Sequence, residues 1–236
     1  MFWRTLSARI WILGLALIAM LGLAFYLVLV QGAKTTLTDQ LLRRRLTLAR
    51  AQASNITSFF QVFGKSLAVL AQSSSMKSRS STTLPDMNLF VDQWRDSNLV
   101  GGIVLTNRQG IVQLNANVAG TSDVGATLAD RDYFTWAKSQ PRHGEYFVGH
   151  PIVSRLGATK GQIIVPVAAA VYRGDVFVGA LSASVKLHPL QKRYLELMKV
   201  SDTTDAYLVN YGGELLYSGP HPAAVGTSIF DLFPEL

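Results

Sequence analysis

Ile10 to Val30 contains no charged side chain, and a bilayer core roughly 30 Å thick needs about 20 apolar residues of helix to cross it. No water-soluble domain needs such a run at its edge. Arg4 and Arg9 precede the run, as in a secretory signal, but a signal's apolar region spans only about 7 to 15 residues. This one is longer, and no small-x-small cleavage pattern directly follows it. The expectation is a short cytoplasmic N-terminus over residues 1–9 and an uncleaved transmembrane signal anchor over 10–31. Charge does not orient that anchor, because Lys34 and the Arg43-Arg44-Arg45 cluster on its far side outweigh Arg4 and Arg9.

The remaining chain, out of 236 residues, is long enough for one globular core and part of another. The net charge of +7 could point to nucleic acid. The basic residues are spread out, however, and their one tight cluster lies near the membrane, so lipid headgroups are the expected neighbour and no nucleic-acid partner is expected. With no cysteine, disulfides and thiolate-bound metals are excluded.

From Thr35 to Gln72 there is no proline, and Ile56, Phe60, Phe63, Leu67 and Leu70 recur at helical spacing. A long amphipathic helix follows from that pattern. Leu41 and Leu48 continue the stripe toward the membrane, where an a/d-like seam would pair with a second copy of the chain. A helix packed only on its own domain satisfies the same pattern. Ser73 to Pro85, rich in serine and threonine, reads as a loop and as the stretch most prone to disorder, and a short helix is expected over Asp86 to Asp96.

Gly101 to Thr106 and Ile111 to Ala116 then flank Asn107-Arg108-Gln109-Gly110 as a β-hairpin. Asp130 is the expected N-cap of a helix from Arg131 to Ser139, stopped by Pro141. Three strands are expected next, over Glu145 to Val153, Gln162 to Tyr172 and Val176 to Leu187, and a helix opens at Pro189 and runs to about Val200. The order of elements implies an α+β fold, an antiparallel sheet with helices on its faces. A second hairpin, Ala206 to Asn210 and Glu214 to Ser218 around Tyr211-Gly212-Gly213, echoes the first. Without further strands that second unit cannot bury its face, so the sequence is expected to open a longer protein.

Asp130-Arg131-Asp132-Tyr133-Phe134, with Gly149-His150-Pro151, Ile163 to Val167 and Gly174-Asp175-Val176-Phe177-Val178-Gly179-Ala180, resembles the double Cache sensor domains of bacterial transmembrane signalling proteins over roughly Thr35 to Leu236. The resemblance implies a stalk and dimerisation helix over 32–72, a membrane-distal PAS-like module over 73–200 and the start of a membrane-proximal one over 201–236. It also implies an outward topology: a homodimer in a bacterial inner membrane, with the bulk of the chain periplasmic or extracellular. The implied function is to bind a small ligand and signal to a cytoplasmic histidine kinase, diguanylate cyclase or chemoreceptor region that this chain does not contain.

The resemblance places the ligand on the sheet face beneath the helix that starts at Arg131. A helix start presents unpaired N–H groups, and a guanidinium there adds a fork for a carboxylate. Asp130 and Asp132 could equally pair with Arg131 and leave it a solvated helix start. Amino-acid-binding members carry a tyrosine where this chain has Ala126 and an aspartate where it has Ser184, so the expected ligand is a small organic anion. The candidate ligand-binding residues are Arg131, Tyr133, Trp136, Tyr146, His150 and Ser184, with Phe134 expected as plain core. Lone aromatics and histidines are more often core or satisfied surface groups.

No cofactor, metal or catalytic residue is expected. Gly64-Lys65-Ser66 ends like a phosphate-binding loop, but Phe59 stands where that loop needs glycine, and the four histidines lack metal-ligand spacing. The competing expectations are a membrane-bound enzyme with an unrecognised site and a purely structural dimerisation ectodomain.

Overall fold

The computed structural model describes residues 2–139, 142–198, 205–210 and 212–235. Pro141, Val200 and Tyr211, the expected helix stop, module end and second-turn residue, lie outside them. The chain divides into two compact units, Met1–Ala51 and Gln52–Leu236, and one helix, α1 (Phe2–Ala71), contributes to both.

The first unit is helix alone. Its apolar side chains point outward, with Trp11 74% and Ile18 70% exposed, and within Leu13–Ala71 an 18-residue window reaches a mean hydropathy of 2.6 with no residue of that window buried. At 1.5 Å rise per residue, α1 is long and apolar enough to cross a membrane. Leu37, Leu41, Leu42 and Leu46 are also exposed.

In the second unit α1 buries Ile56, Phe59, Phe63, Leu67 and Ala71. The stripe therefore runs through Phe59 and Ala71, while Phe60 and Leu70 flank it half-buried. Phe59 is drawn in because its ring stacks on Phe63 and meets Trp94 edge-on, with centroids 5.7 and 5.6 Å away.

The serine-rich stretch is not a loop. Ser73 caps a helix, α2 (Ser74–Ser78), by accepting from the Met76 N–H. Met76 is fully buried, and Thr83 Oγ1 donates to the Ser75 carbonyl. The next helix, α3 (Thr83–Gln93), thus starts earlier than expected. Pro85 fits because N–H groups of a first turn have no partner within the helix. One buried methionine and a set of local hydroxyl bonds order what composition alone marks as loop.

Four long strands form the sheet: β1 (Val100–Thr106), β2 (Val112–Asn117), β5 (Ile163–Arg173) and β6 (Val176–Lys186). The expected strand over Glu145 to Val153 is instead two short ones, β3 (Phe147–Val148) and β4 (Ile152–Val153). Val148 faces Val167 while Ile152 faces Ile164, so the Gly149-His150-Pro151 segment carries one residue more than β5 opposite it. Pro151 has no N–H to donate, and the segment bulges. The order is β2-β1-β6-β5-β3, with β4 also on β5, and every pairing is antiparallel.

Alternation along the central strands splits the interior in two. Val165, Val167, Ala169 and Val171 of β5, with Leu181, Ala183 and Val185 of β6, face the core built by α1, α2 and α3. Ala168, Ala170 and Tyr172 face the opposite side, where α4 (Asp132–Lys138) packs through Tyr133, Phe134 and Ala137. Phe134 is core, as expected, 2% exposed and against Phe177. After β6, α5 (Leu187–Tyr194) begins two residues before Pro189, which lies in its first turn, and one 3-10 turn, Glu196–Met198, follows.

The second hairpin, β7 (Tyr207–Val209) with β8 (Leu215–Ser218), repeats the chemistry of the first. Asn107 Oδ1 accepts from the Gln109 and Ile111 N–H groups, and Asn210 Oδ1 accepts from those of Gly212 and Glu214. The chain then returns alike in both. Leu128 N–H donates to the Gly110 carbonyl as Ile229 N–H does to that of Gly213, and Gly125 pairs with Val112 as Gly226 does with Leu215. A last short helix, α6 (Ile229–Leu232), follows.

Candidate functional site

The sheet face on α4's side carries small or polar residues where the opposite face carries apolar ones. Gly102 of β1, Asn115 and Asn117 of β2, and Ser182 and Ser184 of β6 leave a cleft of about 530 Å³, solvent at its mouth included. One wall is the start of α4, with Arg131 and Tyr133. The other is the β4–β5 connection, from Ser154 through a 3-10 turn, Gly157–Thr159.

Arg131, not Asp130, occupies the N-cap position of α4. Asp130 is drawn away to Arg155, whose Nη1 lies 2.7 Å from its Oδ2. That guanidinium holds the Asp130 carboxyl below its usual range. Asp132 turns its Oδ1 back to accept from the Tyr133 N–H at 2.7 Å. Among the described residues neither aspartate forms an ion pair with Arg131, although the Arg131 charge adds to that of Arg155 in holding the Asp130 carboxyl low. Arg131 Nη2 donates to the Val153 carbonyl at 3.2 Å, which ties the two walls together. Its Nε is buried and has no hydrogen-bond partner among the described residues.

Burial pushes the Tyr133 phenol up to about 12, so it stays protonated and able to donate at neutral pH. Ser184 Oγ donates weakly to the Gly102 carbonyl at 3.3 Å. Asn115 and Asn117 pin the loop after β2, each donating through Nδ2 to the Thr121 carbonyl, at 2.6 and 2.7 Å. That loop brings in Asp123, whose carboxylate accepts from Asn115 Nδ2 at 3.4 Å.

Of the six candidate residues, Arg131, Tyr133 and Ser184 line the cleft. The other three lie elsewhere. Trp136 stacks on Phe147 with centroids 5.4 Å apart. Tyr146 packs against Gly64 of α1, where any Cβ would run into its ring, so the Gly64-Lys65-Ser66 glycine has a packing role. His150 sits in the bulge rather than in mid-strand, with Nδ1 2.6 Å from Glu214 Oε2 and its side chain 58% exposed. Asn115, Asn117, Asp123 and Arg155 had no motif to mark them; the i, i+2 spacing of the two asparagines was the only local signal.

The second hairpin unit carries no such guanidinium. Counting from the matched residues Leu128 and Ile229, Leu232 stands where Arg131 stands in the first.

No protein-family model matches the chain, and no curated protein sequence matches it. Solved structures do. The ligand-binding domain of the Pseudomonas fluorescens chemoreceptor CtaA in complex with L-serine is 17% identical, with 79% of this chain and 75% of that one covered and a TM-score of 0.58. The extracellular domain of the histidine kinase vpHK1S-Z8 is 15% identical over 82% and 79% of the two chains, with a TM-score of 0.61. The sensor domain of the V. cholerae histidine kinase DctB is 15% identical over 81% and 71%, with a TM-score of 0.57. These are ligand-binding and sensor domains rather than catalytic ones, and the fold of this chain is that of the Cache-type sensor domains.

Proposed function

We propose that the chain is the membrane-anchored, extracytoplasmic sensor region of a bacterial signalling protein, and that its cleft binds a small organic anion through Arg131. The observation that carries this is the buried Arg131 Nε, which has no hydrogen-bond partner among the described residues. A buried, unsatisfied donor costs about 1–3 kcal/mol, and a ligand carboxylate would remove that cost while adding a charge-assisted bond. The likeness of fold to chemoreceptor and histidine kinase sensor domains supports the same role. The repeated hairpin, with Leu232 in place of Arg131, supports a distal binding module ending near residue 200 and a second module beginning after it, without an arginine at the matching position.

A second reading rests on Asp123, a carboxylate on the same lining. It would suit the ammonium of an amino acid, as CtaA holds L-serine and L-alanine. Thermal unfolding of the full chain in neutral-lipid nanodiscs, with simple carboxylates and L-amino acids added in turn, separates the two. Stabilisation by simple carboxylates is expected; stabilisation by amino acids alone would sink the anion reading.

The exposed leucines of α1 support a homodimer through that helix. Single cysteines replacing Leu41 or Leu48 are expected to give disulfide-linked dimers in membranes, and their absence at both positions would remove the dimer. Ligand-driven output would then be a shift between two arrangements of the module, carried along α1 to the membrane and on to a kinase, cyclase or chemoreceptor region.

A further inference from the structure

Two guanidiniums line the cleft, Arg131 on the α4 wall and Arg155 on the β4–β5 wall. Among the described residues Arg131 forms no ion pair, and Asp130 acts on it only through its charge. Arg155 is held by Asp130, the residue just before Arg131, so the ion pair joins the two walls beside the cleft. Its side chains are 54% and 51% exposed. Exposed pairs of this kind are worth little, because water competes for both partners. Such a contact is easily exchanged for another anion.

We propose that Asp130 is a built-in competitor for the ligand: it occupies Arg155 in the free protein and is displaced by a second acidic group of a carboxylate whose first acidic group is held by Arg131. The ligand class is then a small carboxylate with two acidic groups, and Arg155 is the residue that selects it. This rests on the anion reading of the same cleft. Asp123 sharpens the selection, since its own carboxylate on the lining penalises a second negative charge unless a guanidinium meets it. Asp130 and Arg155 carry no core packing, so substitutions at either leave the fold intact.

Titration calorimetry on the full chain in neutral-lipid nanodiscs, with malonate as the dianion and acetate as the monoanion, tests the exchange. Wild type is expected to bind malonate about tenfold or more tighter than acetate, the effect of one additional hydrogen-bonded charge. Asp130→Asn should tighten malonate binding severalfold, leaving acetate within about twofold, because the competitor alone has been removed. Arg155→Gln should bring malonate down to the level of acetate. If both probes bind in an Arg131-dependent way but neither substitution changes their ratio, the competitor role is overturned and the anion reading stands. If neither probe binds wild type or Asp130→Asn, or if binding survives Arg131→Ala, the anion reading itself falls and this inference with it.

Discussion

Arg131→Ala is expected to abolish carboxylate binding while leaving the melting temperature of the ligand-free chain unchanged or slightly raised. Truncating one partner of a buried, hydrogen-bonded charge pair costs about 2–5 kcal/mol, which is roughly thirtyfold to several thousandfold in affinity. The free protein loses much less. What the Arg131 side chain contributes there, among the described residues, is one hydrogen bond, from Nη2 to the Val153 carbonyl at 3.2 Å, worth about 1 kcal/mol net. Against it stands the buried Nε without a partner, whose desolvation costs a comparable amount. A residue that helps the fold little and the ligand greatly is the pattern expected where stability has been given up for function. Binding and thermal unfolding measured on the same nanodisc preparation decide the matter. A fall of many degrees with binding retained would make Arg131 a structural bridge between the two walls.

Where an element carries its own periodicity, the sequence was a sufficient guide. α1 from Gln52 onward, the first hairpin and the β5–β6 pair emerge close to their expected spans, because each has an unbroken apolar pattern of period 3.6 or 2 and a turn signal at its end. Errors fall where a few long-range contacts decide. Composition marks Ser73 to Pro85 as loop, but the burial of Met76 and the Thr83–Ser75 bond make it helical. Asp130 has the right type and place for an N-cap, but Arg155, distant in sequence, is the stronger partner.

The site divides in the same way. Arg131 and Tyr133 sit in a recognisable run at a helix start, and Ser184 in a strand whose alternation is plain. Asp123 and Arg155 sit in connections with no period, and they reach the cleft only because Asn115 and Asn117 hold one loop and the β4–β5 turn forms the other. Trp136, Tyr146 and His150 lie off this cleft for the complementary reason. Their spacing placed them near the helix and the following strand, but not on which face each would emerge, and the extra residue in the Gly149-His150-Pro151 bulge shifts everything around His150.

Gly179→Ala is expected to be among the most damaging single-methyl additions in the second unit, and Gly174→Ala, in the same Gly174–Ala180 run, a mild one. A Cβ on Gly179 would fall onto the carbonyl oxygen of Thr106, with the Thr106 and Asn107 carbonyl carbons at 2.9 and 3.3 Å. These are backbone atoms and cannot swing aside. They are also held in place: Thr106 Oγ1 bonds both the N–H and the carbonyl of Ala180 at 3.1 Å, and Arg79 Nη2 donates to the carbonyls of Val178 and Thr106. Relief would require parting β1 from β6 at the centre of the sheet, at a cost of about 3 kcal/mol or more. At roughly 2–4 °C per kcal/mol for a domain of this size, the melting temperature should fall by about 6–12 °C. Gly174 has no atom within 4 Å of its Cβ position, so only its φ of +59° opposes a side chain, at about 1–2 kcal/mol. Thermal unfolding of the two variants beside wild type gives the ranking. A smaller loss for Gly179→Ala than for Gly174→Ala would mean that β1 and β6 are not packed as closely at Thr106 as this register requires.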